Sequence, residues 1–346
     1  MTNSMPSIDV VIPAYNEEAS IGRCLDATLG QSYPSERVRV LLVDAGCSDR
    51  TLEIARGRDD PRLVIVANGG RRLTTPEALN AGIDRSDAEL VARVDAHGWP
   101  EPDFLERAQA TLSDGGPDVA CVGGRPLSAD DSRFATAFTL ARGSRFGVGG
   151  SVYAAPDRLV ETDTVPWGMY RREALVDAGG FDPRMQHGED EELNWRIRRS
   201  GGRILHNPQI RFRYVPRSSL GGVFRQYRDY GRARVRVVNA HPGFLRARHL
   251  APAAMVAGGA LLAAAAPFSR SARARLVSAA AVYASAATLF ALDAARRDDI
   301  TLAPLVAACF PALHAGYGVG TLGGIARTLS DAASDRWRSL SSRSDD

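Results

Sequence analysis

The amino-acid sequence predicts an α/β fold with a parallel sheet, followed by hydrophobic helices near the end of the chain. From residue 8 to about residue 113, short apolar runs alternate with amphipathic stretches of helical period, which is typical of βαβ units. After residue 250, three long stretches contain no Asp, Glu, Lys or Arg. The 346 residues are enough for one large domain, or two ordinary ones, with a sizeable core.

The first hundred residues contain four short apolar runs that predict buried strands, at 9–13, 38–43, 63–67 and 90–94. Helical patterns lie between these runs. Acidic, capping or proline residues mark the helix starts: Glu17 and Glu18, then Ser48 or Asp49, then Thr75 with Pro76. The order of the strands cannot be read from this pattern, but a parallel core can.

Beyond residue 113 the pattern predicts fewer regular elements. A strand at 119–123 is followed by a glycine-rich loop at 143–150. Helices are predicted at 174–177 and 191–199, and a further strand at 211–215.

The charge-free stretches occupy residues 251–268, 276–292 and 300–326, and the first two are near the length that spans a bilayer. Because these stretches are rich in alanine, which is barely apolar, a buried helical bundle is the alternative to membrane insertion. Arginines crowd residues 219–249, which favours a cytosolic, lipid-facing position for that segment. Further arginines between the first two stretches leave a re-entrant hairpin open. Gly316, Gly320 and Gly324 permit close helix packing.

Composition excludes several functions. All 43 basic residues are arginine, so the chain has neither a Schiff-base lysine nor a Walker-type phosphate lysine. A net charge of +3 is too small to favour nucleic acid as a partner. The four cysteines form no Cys-x-x-Cys pair, which fits a reducing cytosol without zinc or disulfides. The first nine residues lack the pattern of a secretory signal, so the front of the chain is expected in the cytosol.

Polar residues follow the first two predicted strands, at the edge where an open α/β sheet binds its ligands. Pro13, Ala14, Tyr15 and Glu17 belong to the segment at the end of the first strand, and Asp44 stands at the end of the second. Asp44 is placed to accept hydrogen bonds from a ribose or a base. Because the Gly-x-Gly-x-x-Gly pattern is absent here, a mononucleotide is favoured over a dinucleotide. Ordinary capped turns between strand and helix are the alternative.

Two further groups of residues can carry chemistry. Asp95 and His97 follow the fourth strand two residues apart, so both can face one ion that bridges a diphosphate. Four consecutive acids follow Gly188 at a predicted helix start, and among them Asp190 is preferred over Glu189 as a general base. The alternatives are a capped turn with a surface histidine, and acids that favour the helix dipole.

A third group lies in the arginine-rich segment. Gln226, Arg228 and Arg232 can contact a leaving diphosphate or an acceptor, and contact with lipid is the alternative.

In chain order, seven motifs resemble family 2 glycosyltransferases: PAYNEE (13–18), VDAGCSD (43–49), NAGI (80–83), VDAH (94–97), GGFDP (179–183), GEDEE (188–192) and QYRDYGR (226–232). The resemblance covers about residues 8–240 and is strongest to the subgroup that acts in bacterial exopolysaccharide synthesis, typified by succinoglycan enzymes. It implies a Rossmann-like nucleotide-diphospho-sugar transferase domain of the GT-A type.

The resemblance also implies roles for the candidate residues. Asp95 becomes the acid on the metal side. The implied nucleotide contacts are Pro13, Ala14, Tyr15, Glu17, Asp44 and Asn80. Asp190, with Glu189 beside it, becomes the base that deprotonates the acceptor hydroxyl. A divalent cation, Mn²⁺ or Mg²⁺, is the implied cofactor, and its contacts with the diphosphate would stabilise the leaving group.

Two departures from the family pattern matter. His97 stands where the metal motif usually has a second aspartate, which tilts the expected preference toward Mn²⁺ or leaves a site with one carboxylate. The Gln-x-x-Arg-Trp motif of processive members is only echoed, because Asp229 and Tyr230 occupy its last two places. Transfer of a single sugar is therefore expected rather than polymerisation.

The sequence thus predicts a membrane enzyme with three parts: a cytosolic catalytic domain at 1–245, a membrane-associated helical region at 246–326 and a polar tail at 327–346. It is expected to be an inverting transferase that moves one sugar from a nucleoside-diphosphate sugar to a lipid-linked saccharide, in exopolysaccharide or cell-envelope glycan synthesis. One alternative is transfer to polyprenyl phosphate. Another is a catalytically silent scaffold subunit, which His97 favours and Asp44, Asp95 and Asp190 oppose.

Overall fold

The computed structural model describes residues 5–148, 158–296 and 298–341, the last seven without their side chains. It divides the chain into two compact units. Unit 1 comprises Met1–Asp131 and Gly150–Pro216, and unit 2 comprises Ser132–Gly149 and Arg217–Asp346. The predicted boundary at residue 245 separates the catalytic part of the chain from the membrane-associated part. It stays a prediction, because the two compact units do not show which residues take part in catalysis.

Unit 1 is an α/β structure in which all strands of the described residues belong to one sheet. The strands are β1 (Ile8–Ala14), β2 (Val38–Asp44), β3 (Leu63–Val66), β4 (Leu90–Arg93), β5 (Gly98–Pro100), β6 (Val119–Ser128), β7 (Val160–Glu161), β8 (Met169–Arg171) and β9 (Arg203–Tyr214). The helices of unit 1 are α1 (Ile21–Leu29), α2 (Thr51–Arg56), α3 (Thr75–Asp84), α4 (Phe104–Asp114), α6 (Arg172–Asp177) and α7 (Glu189–Arg199).

The sheet has the order β3-β2-β1-β4-β8-β6-β9-β5, and β7 pairs with β9. Strands β3, β2, β1 and β4 are parallel, while β8 runs antiparallel to β4 and to β6. Successive residues of β1 enter different cores, because Val10 and Ile12 pack on one face of the sheet and Val11 on the other. Both faces are therefore covered, as the continuous apolar runs predicted.

The first four strands confirm the predicted ones to within one residue at each end. Strands β6 and β9 are longer than the predicted strands at 119–123 and 211–215. Arg50 is the N-cap residue of α2, one residue beyond the predicted Ser48 or Asp49, although Asp49 Oδ1 accepts a hydrogen bond from the Thr51 amide at 3.0 Å. The predicted cap of α3 is wrong by one residue. Thr74 is the cap, because its side chain and that of Glu77 each accept from the other's backbone amide.

Unit 2 is helical in the residues that the structure describes. Its helices are α5 (Arg133–Gly143), α8 (Leu220–Ala240), α9 (Ala247–Ala265), α10 (Arg270–Ala295) and α11 (Ala303–Ser341). Residues 145–148 of the predicted loop at 143–150 form a turn, and 149–150 lie outside the described residues. The side chains of α5, α8, α10 and α11 share one core, which includes Phe138, Tyr227 and Phe310.

Three helices of unit 2 are long and apolar enough to cross a membrane: Ala247–Ala265, Arg270–Ala295 and Ile300–Ser334. Large apolar side chains on the first two point outward. Leu261 is 72% exposed and Val282 is 71% exposed. Apolar faces of this extent are typical of contact with lipid or with another protein. The three charge-free stretches are therefore confirmed as candidate membrane spans.

The glycines on α11 allow α8 to approach closely. A Cβ atom at Gly320 would lie 1.9 Å from the Arg228 carbonyl oxygen, and one at Gly316 would lie 2.5 Å from the Phe224 carbonyl oxygen. A Cβ atom at Gly324 would meet Val235 at 3.0 Å. The predicted close packing at these three glycines is thus confirmed, and α8 is the partner helix.

Candidate active site

The ends of β1 and β2 lie side by side and form the first wall of the site. Ala14 is paired with Asp44, and the Ala45 amide donates a hydrogen bond to the Ala14 carbonyl at 2.9 Å. Asp44 is almost buried, and its Oδ1 accepts hydrogen bonds from the Gly46 and Cys47 amides at 2.9 and 2.8 Å. This oxygen shapes the turn, so the other carboxylate oxygen is the one available to a ligand.

The segment after β1 presents an aromatic ring and a carboxylate. Tyr15 is 40% exposed, and the Arg72 guanidinium lies 3.1 Å from the centre of its ring. Glu17 accepts a hydrogen bond from the Ser20 hydroxyl at 2.8 Å, and its Oε1 lies 3.3 Å from His97 Nδ1. The segment after β1 therefore meets the segment after β4 through Glu17 and His97.

The side chain of Asn80 is hydrogen-bonded to the backbone of Phe181. Its side-chain amide donates to the Phe181 carbonyl at 2.7 Å, and its oxygen accepts from the Phe181 amide at 2.8 Å. The loop around Phe181 approaches so closely that a Cβ atom at Gly180, where φ is +70°, would lie 2.7 Å from Asn80 Oδ1. The role of Asn80 as a nucleotide contact stays a prediction.

Arg93, the last residue of β4, gathers the acidic residues of the site. Its Nε donates to Asp95 Oδ1 at 2.8 Å. Its Nη1 donates to Glu189 Oε1 at 2.9 Å and to Asp190 Oδ1 at 2.5 Å. The Arg93 side chain is only 8% exposed. One buried guanidinium thus joins the acid after β4 to the two acids that begin α7.

The start of α7 is held in place by its own neighbours. Gly188 adopts a φ of +81°, a left-handed conformation that glycine tolerates. One turn further on, Glu192 forms an ion pair with Arg196 at 2.7 Å. Arg196 also donates to the carbonyl oxygens of Ala178 and Gly180. The GGFDP and GEDEE motifs are therefore linked through Arg196, and this linkage fixes the position of Asp190 at the start of α7.

Electrostatics separates the roles of the acids. Burial opposes the charge on Asp95, but the positive charges of Arg93 and His97 outweigh it and lower the pKa of Asp95. Burial raises the pKa of Asp190 to about 7, with Arg93 acting against the shift and the charges of Glu189 and Asp95 adding to it. A carboxylate with a pKa near neutrality is suited to general base catalysis.

The indole of Trp167 completes the surroundings of Asp95. Its Nε1 donates to Asp95 Oδ2 at 3.1 Å, and its ring stacks on Phe212 with 4.2 Å between the ring centres. A Cβ atom at Gly98 would meet the Trp167 ring at 2.6 Å, so this position requires glycine. Both oxygens of Asp95 thereby have fixed orientations.

Asp95 and His97 provide a carboxylate oxygen and an imidazole nitrogen that could contribute to a cation site. Hydrogen bonding to Glu17 raises the pKa of His97, although burial works against this. Among the described residues, no three His, Cys, Asp or Glu side chains are grouped so as to hold a metal ion by themselves. The donor set fits a cation that takes its remaining ligands from a substrate diphosphate and water.

Gln226, Arg228 and Arg232 lie on α8 in unit 2. Arg228 and Arg232 approach Asp229 at 3.2 and 3.7 Å, and Gln226 donates to the Tyr230 hydroxyl at 3.1 Å. Their contacts with a diphosphate or an acceptor stay predictions.

Sequence reasoning missed Arg93 and Trp167. The signal for Arg93 was present, because a single arginine stands in the otherwise apolar run LVARV. A guanidinium in a strand covered on both faces requires buried acids as partners. Trp167 carried no comparable signal, since its indole reaches Asp95 across 72 residues of sequence.

The fold and the strand-end carboxylates define a GT-A-like glycosyltransferase domain. The structure is similar to that of the mannosyltransferase PcManGT from Pyrobaculum calidifontis, solved with GDP-Man and Mn²⁺. The TM-score is 0.61 at 24% identity, and the match covers 90% of this chain and 88% of the other. S. aureus TarS residues 1–349 has a TM-score of 0.51 at 17% identity, covering 91% and 90%.

The chain belongs to glycosyltransferase family 2. The model of that family, Glycosyl transferase family 2, matches residues 9–175. The chain is 33% identical over 264 residues to the succinoglycan biosynthesis protein ExoA of Rhizobium meliloti (strain 1021), covering 73% of this chain and 77% of the relative. It is 28% identical to a dolichyl N-acetyl-α-D-glucosaminyl phosphate 3-β-D-2,3-diacetamido-2,3-dideoxy-β-D-glucuronosyltransferase of Methanococcus voltae, covering 66% and 73%.

Proposed function

We propose that this protein transfers one sugar, with inversion, from a nucleoside-diphosphate sugar to a lipid-linked saccharide in exopolysaccharide or cell-envelope glycan synthesis. The observation that carries the proposal is the Arg93 network. It holds Asp95, on the donor side, and Asp190, on the acceptor side, on one guanidinium. The reaction needs these two functions within reach of one sugar.

The chemistry follows from the roles of the two acids. Asp190 accepts the proton of an acceptor hydroxyl, whose oxygen forms the new bond to the anomeric carbon. The bond from that carbon to the diphosphate oxygen breaks in the same displacement, so the configuration inverts and no covalent intermediate forms. Arg93 keeps Asp190 oriented and favours its ionised form against the effect of burial.

The donor side is assigned to the ends of the first strands. Tyr15 offers an exposed ring to a base, and Asp44 retains one oxygen for a ribose. Asp95 and His97 are the side chains that would hold Mn²⁺ or Mg²⁺, which supplies positive charge to the diphosphate leaving group when bound. The presence of GDP-Man and Mn²⁺ in the mannosyltransferase structure supports this assignment.

The membrane part of the proposal rests on the candidate spans and on the relatives. A lipid-borne acceptor is confined to the bilayer, so an enzyme tethered there meets it at a high local concentration. The names of the two relatives refer to succinoglycan biosynthesis and to a dolichyl-linked substrate, which supports such an acceptor. We place unit 1 on the cytoplasmic side, because the arginine-rich residues 219–249 precede the first span.

The test of the base is the substitution Asp190→Asn. We expect the variant to fold and to bind nucleotide, and to lose transfer by at least about 100-fold, the lower range for removal of a general base. Asp177→Asn makes the same chemical change at an exposed position of α6 and should retain full activity. Turnover of Asp190→Asn at the rate of this control would remove the base assignment.

An acceptor screen decides between the proposed acceptor and the alternatives. Product formed on a lipid-linked saccharide supports the proposal, whereas product formed only on polyprenyl phosphate would replace it. A folded protein that consumes no donor with any acceptor or cation would point to the scaffold role.

A further inference from the structure

Arg236 on α8 is a partly buried cation without a counter-charge of its own. Its Nε atom is buried and has no hydrogen-bond partner among the residues that the structure describes. No ion pair is formed by Arg236 within the part of the chain that the structure describes. An unsatisfied guanidinium nitrogen in such a position is costly, so an external partner is expected to complete it.

Two further arginines lie near Arg236. Arg232 precedes it by one turn of α8, and Arg327 belongs to α11 beside the contact between the two helices. That contact is fixed by Val235 against Gly324 and by a hydrogen bond of 2.8 Å from Asn239 to Thr328. Burial and the positive charges of Arg327 and Arg232 lower the pKa of Arg236. These three residues form the arginine cluster.

The nearby acid does not neutralise the cluster. Asp229 interacts with Arg228 at 3.2 Å and with Arg232 at 3.7 Å, so its single charge is already shared by two arginines. Arg327 is exposed and, in the described residues, has neither an ion pair nor a hydrogen bond. The cluster therefore has an excess of positive charge that an anion would balance.

The cluster also lies at the end of an apolar segment. Arg327 is the first charged residue after the charge-free stretch at 300–326. At 1.5 Å per residue, that stretch alone exceeds the roughly 30 Å hydrocarbon core of a bilayer. Arg327 therefore marks the polar end of a candidate membrane span, and the contact of Val235 with Gly324 brings the neighbouring Arg236 of α8 to that same end.

We propose that Arg232, Arg236 and Arg327 bind the phosphate of the lipid-linked acceptor. This inference rests on the proposed function, and it adds the part of the acceptor that is recognised. Guanidinium groups present several N–H donors in a fixed plane and bind phosphate oxygens in pairs. A phosphate carried on a lipid supplies the missing charge at the depth where the cluster lies.

The experiment is a titration of the purified full chain in detergent with farnesyl phosphate. The variants are Arg236→Gln and Arg327→Gln, and the second changes an exposed residue that the fold does not require. Arg225→Gln is the matched control, because it removes one exposed charge from the same helix. Inorganic phosphate and dihexanoyl phosphatidylglycerol are titrated in parallel.

We expect wild type and Arg225→Gln to bind farnesyl phosphate equally well. Each cluster variant should weaken that affinity about tenfold, the effect of losing one charge-assisted hydrogen bond. Equal affinity in wild type and both cluster variants would overturn the site. Equally tight binding of inorganic phosphate, or of phosphatidylglycerol, would overturn its assignment to the acceptor. A UDP titration with Mn²⁺ on the same samples reports separately on the proposed function.

Discussion

Arg93 in unit 1 and Arg236 in unit 2 differ in what is available to neutralise their charge. In unit 1, Arg93 is enclosed by three carboxylates that the fold itself supplies. In unit 2, Arg236 is partly buried with other arginines near it, and within the described residues its Nε atom has no hydrogen-bond partner. A buried charge is stable only when it is paired with an opposite charge. The comparison therefore indicates whether the anionic partner of each arginine comes from the protein or from outside it. The fold of unit 1 supplies the carboxylates around Arg93, whereas we propose that an external anion completes Arg236 in unit 2.

The largest effect is expected from Arg93→Met. This change leaves three acids near one another without a cation, and we expect the free energy of unfolding of unit 1 to fall by about 3–5 kcal/mol. Denaturant titration followed by tryptophan fluorescence measures it, since Trp99, Trp167 and Trp195 all belong to unit 1. Arg236→Met is the comparison from unit 2 and should not lower stability, because it removes a buried nitrogen that has no hydrogen-bond partner among the described residues. Equal losses in both variants would break the contrast.

A smaller effect is expected where unit 2 depends on close helix packing. Gly320→Ala places a methyl group 1.9 Å from the Arg228 carbonyl oxygen, so the helices must separate and stability should fall by about 1–3 kcal/mol. Gly323→Ala on the same helix meets nothing within 4 Å and should stabilise by about 0.5–1 kcal/mol through helix propensity. Thermal unfolding of both variants in detergent checks the pair. Equal shifts would mean that α8 does not depend on the glycines.

The smallest effect is a pH dependence that should belong to unit 1 alone. Burial raises the pKa of Asp190 to about 7, and the base must be ionised to accept a proton. Activity is therefore present above about pH 7 and declines as the pH falls, by roughly tenfold at one unit below the pKa. Arginines do not titrate in this range, so the cluster in unit 2 adds no such change. A kcat that is constant from pH 6 to 8 would contradict the assignment of Asp190.

Much of unit 1 could be predicted because its residues obey local rules. Asp44 and Asp95 stand directly after apolar runs of the sequence, and the carboxyl ends of parallel strands meet at one edge of a sheet. The same rules place Asp190 at a helix start. The local rules do not show that Arg93 bonds both Asp95 and Asp190, because this depends on how close β4 and α7 lie in the folded chain.

Contacts distant in sequence could not be predicted in this way. Residues 132–149 belong to unit 2 although nearly 70 residues separate them from the rest of it. Phe146 is an example. Its ring stacks on that of Phe290 in α10 with 5.1 Å between the ring centres, and it meets the ring of Phe310 in α11 edge-on at 5.0 Å. The glycine spacing on α11 predicted a close partner, but only the structure identifies it as α8.

The measurement that tests the central claim most directly is isothermal titration of the purified protein with UDP, GDP and dTDP, each with and without Mn²⁺. Wild type and Asp95→Ala are compared, with Asp177→Asn as a folded control. We predict that one nucleoside diphosphate binds wild type and the control in the presence of Mn²⁺, and that Asp95→Ala loses this binding. Failure of the folded wild type to bind any of the three would contradict the assignment of unit 1 as a sugar-nucleotide site.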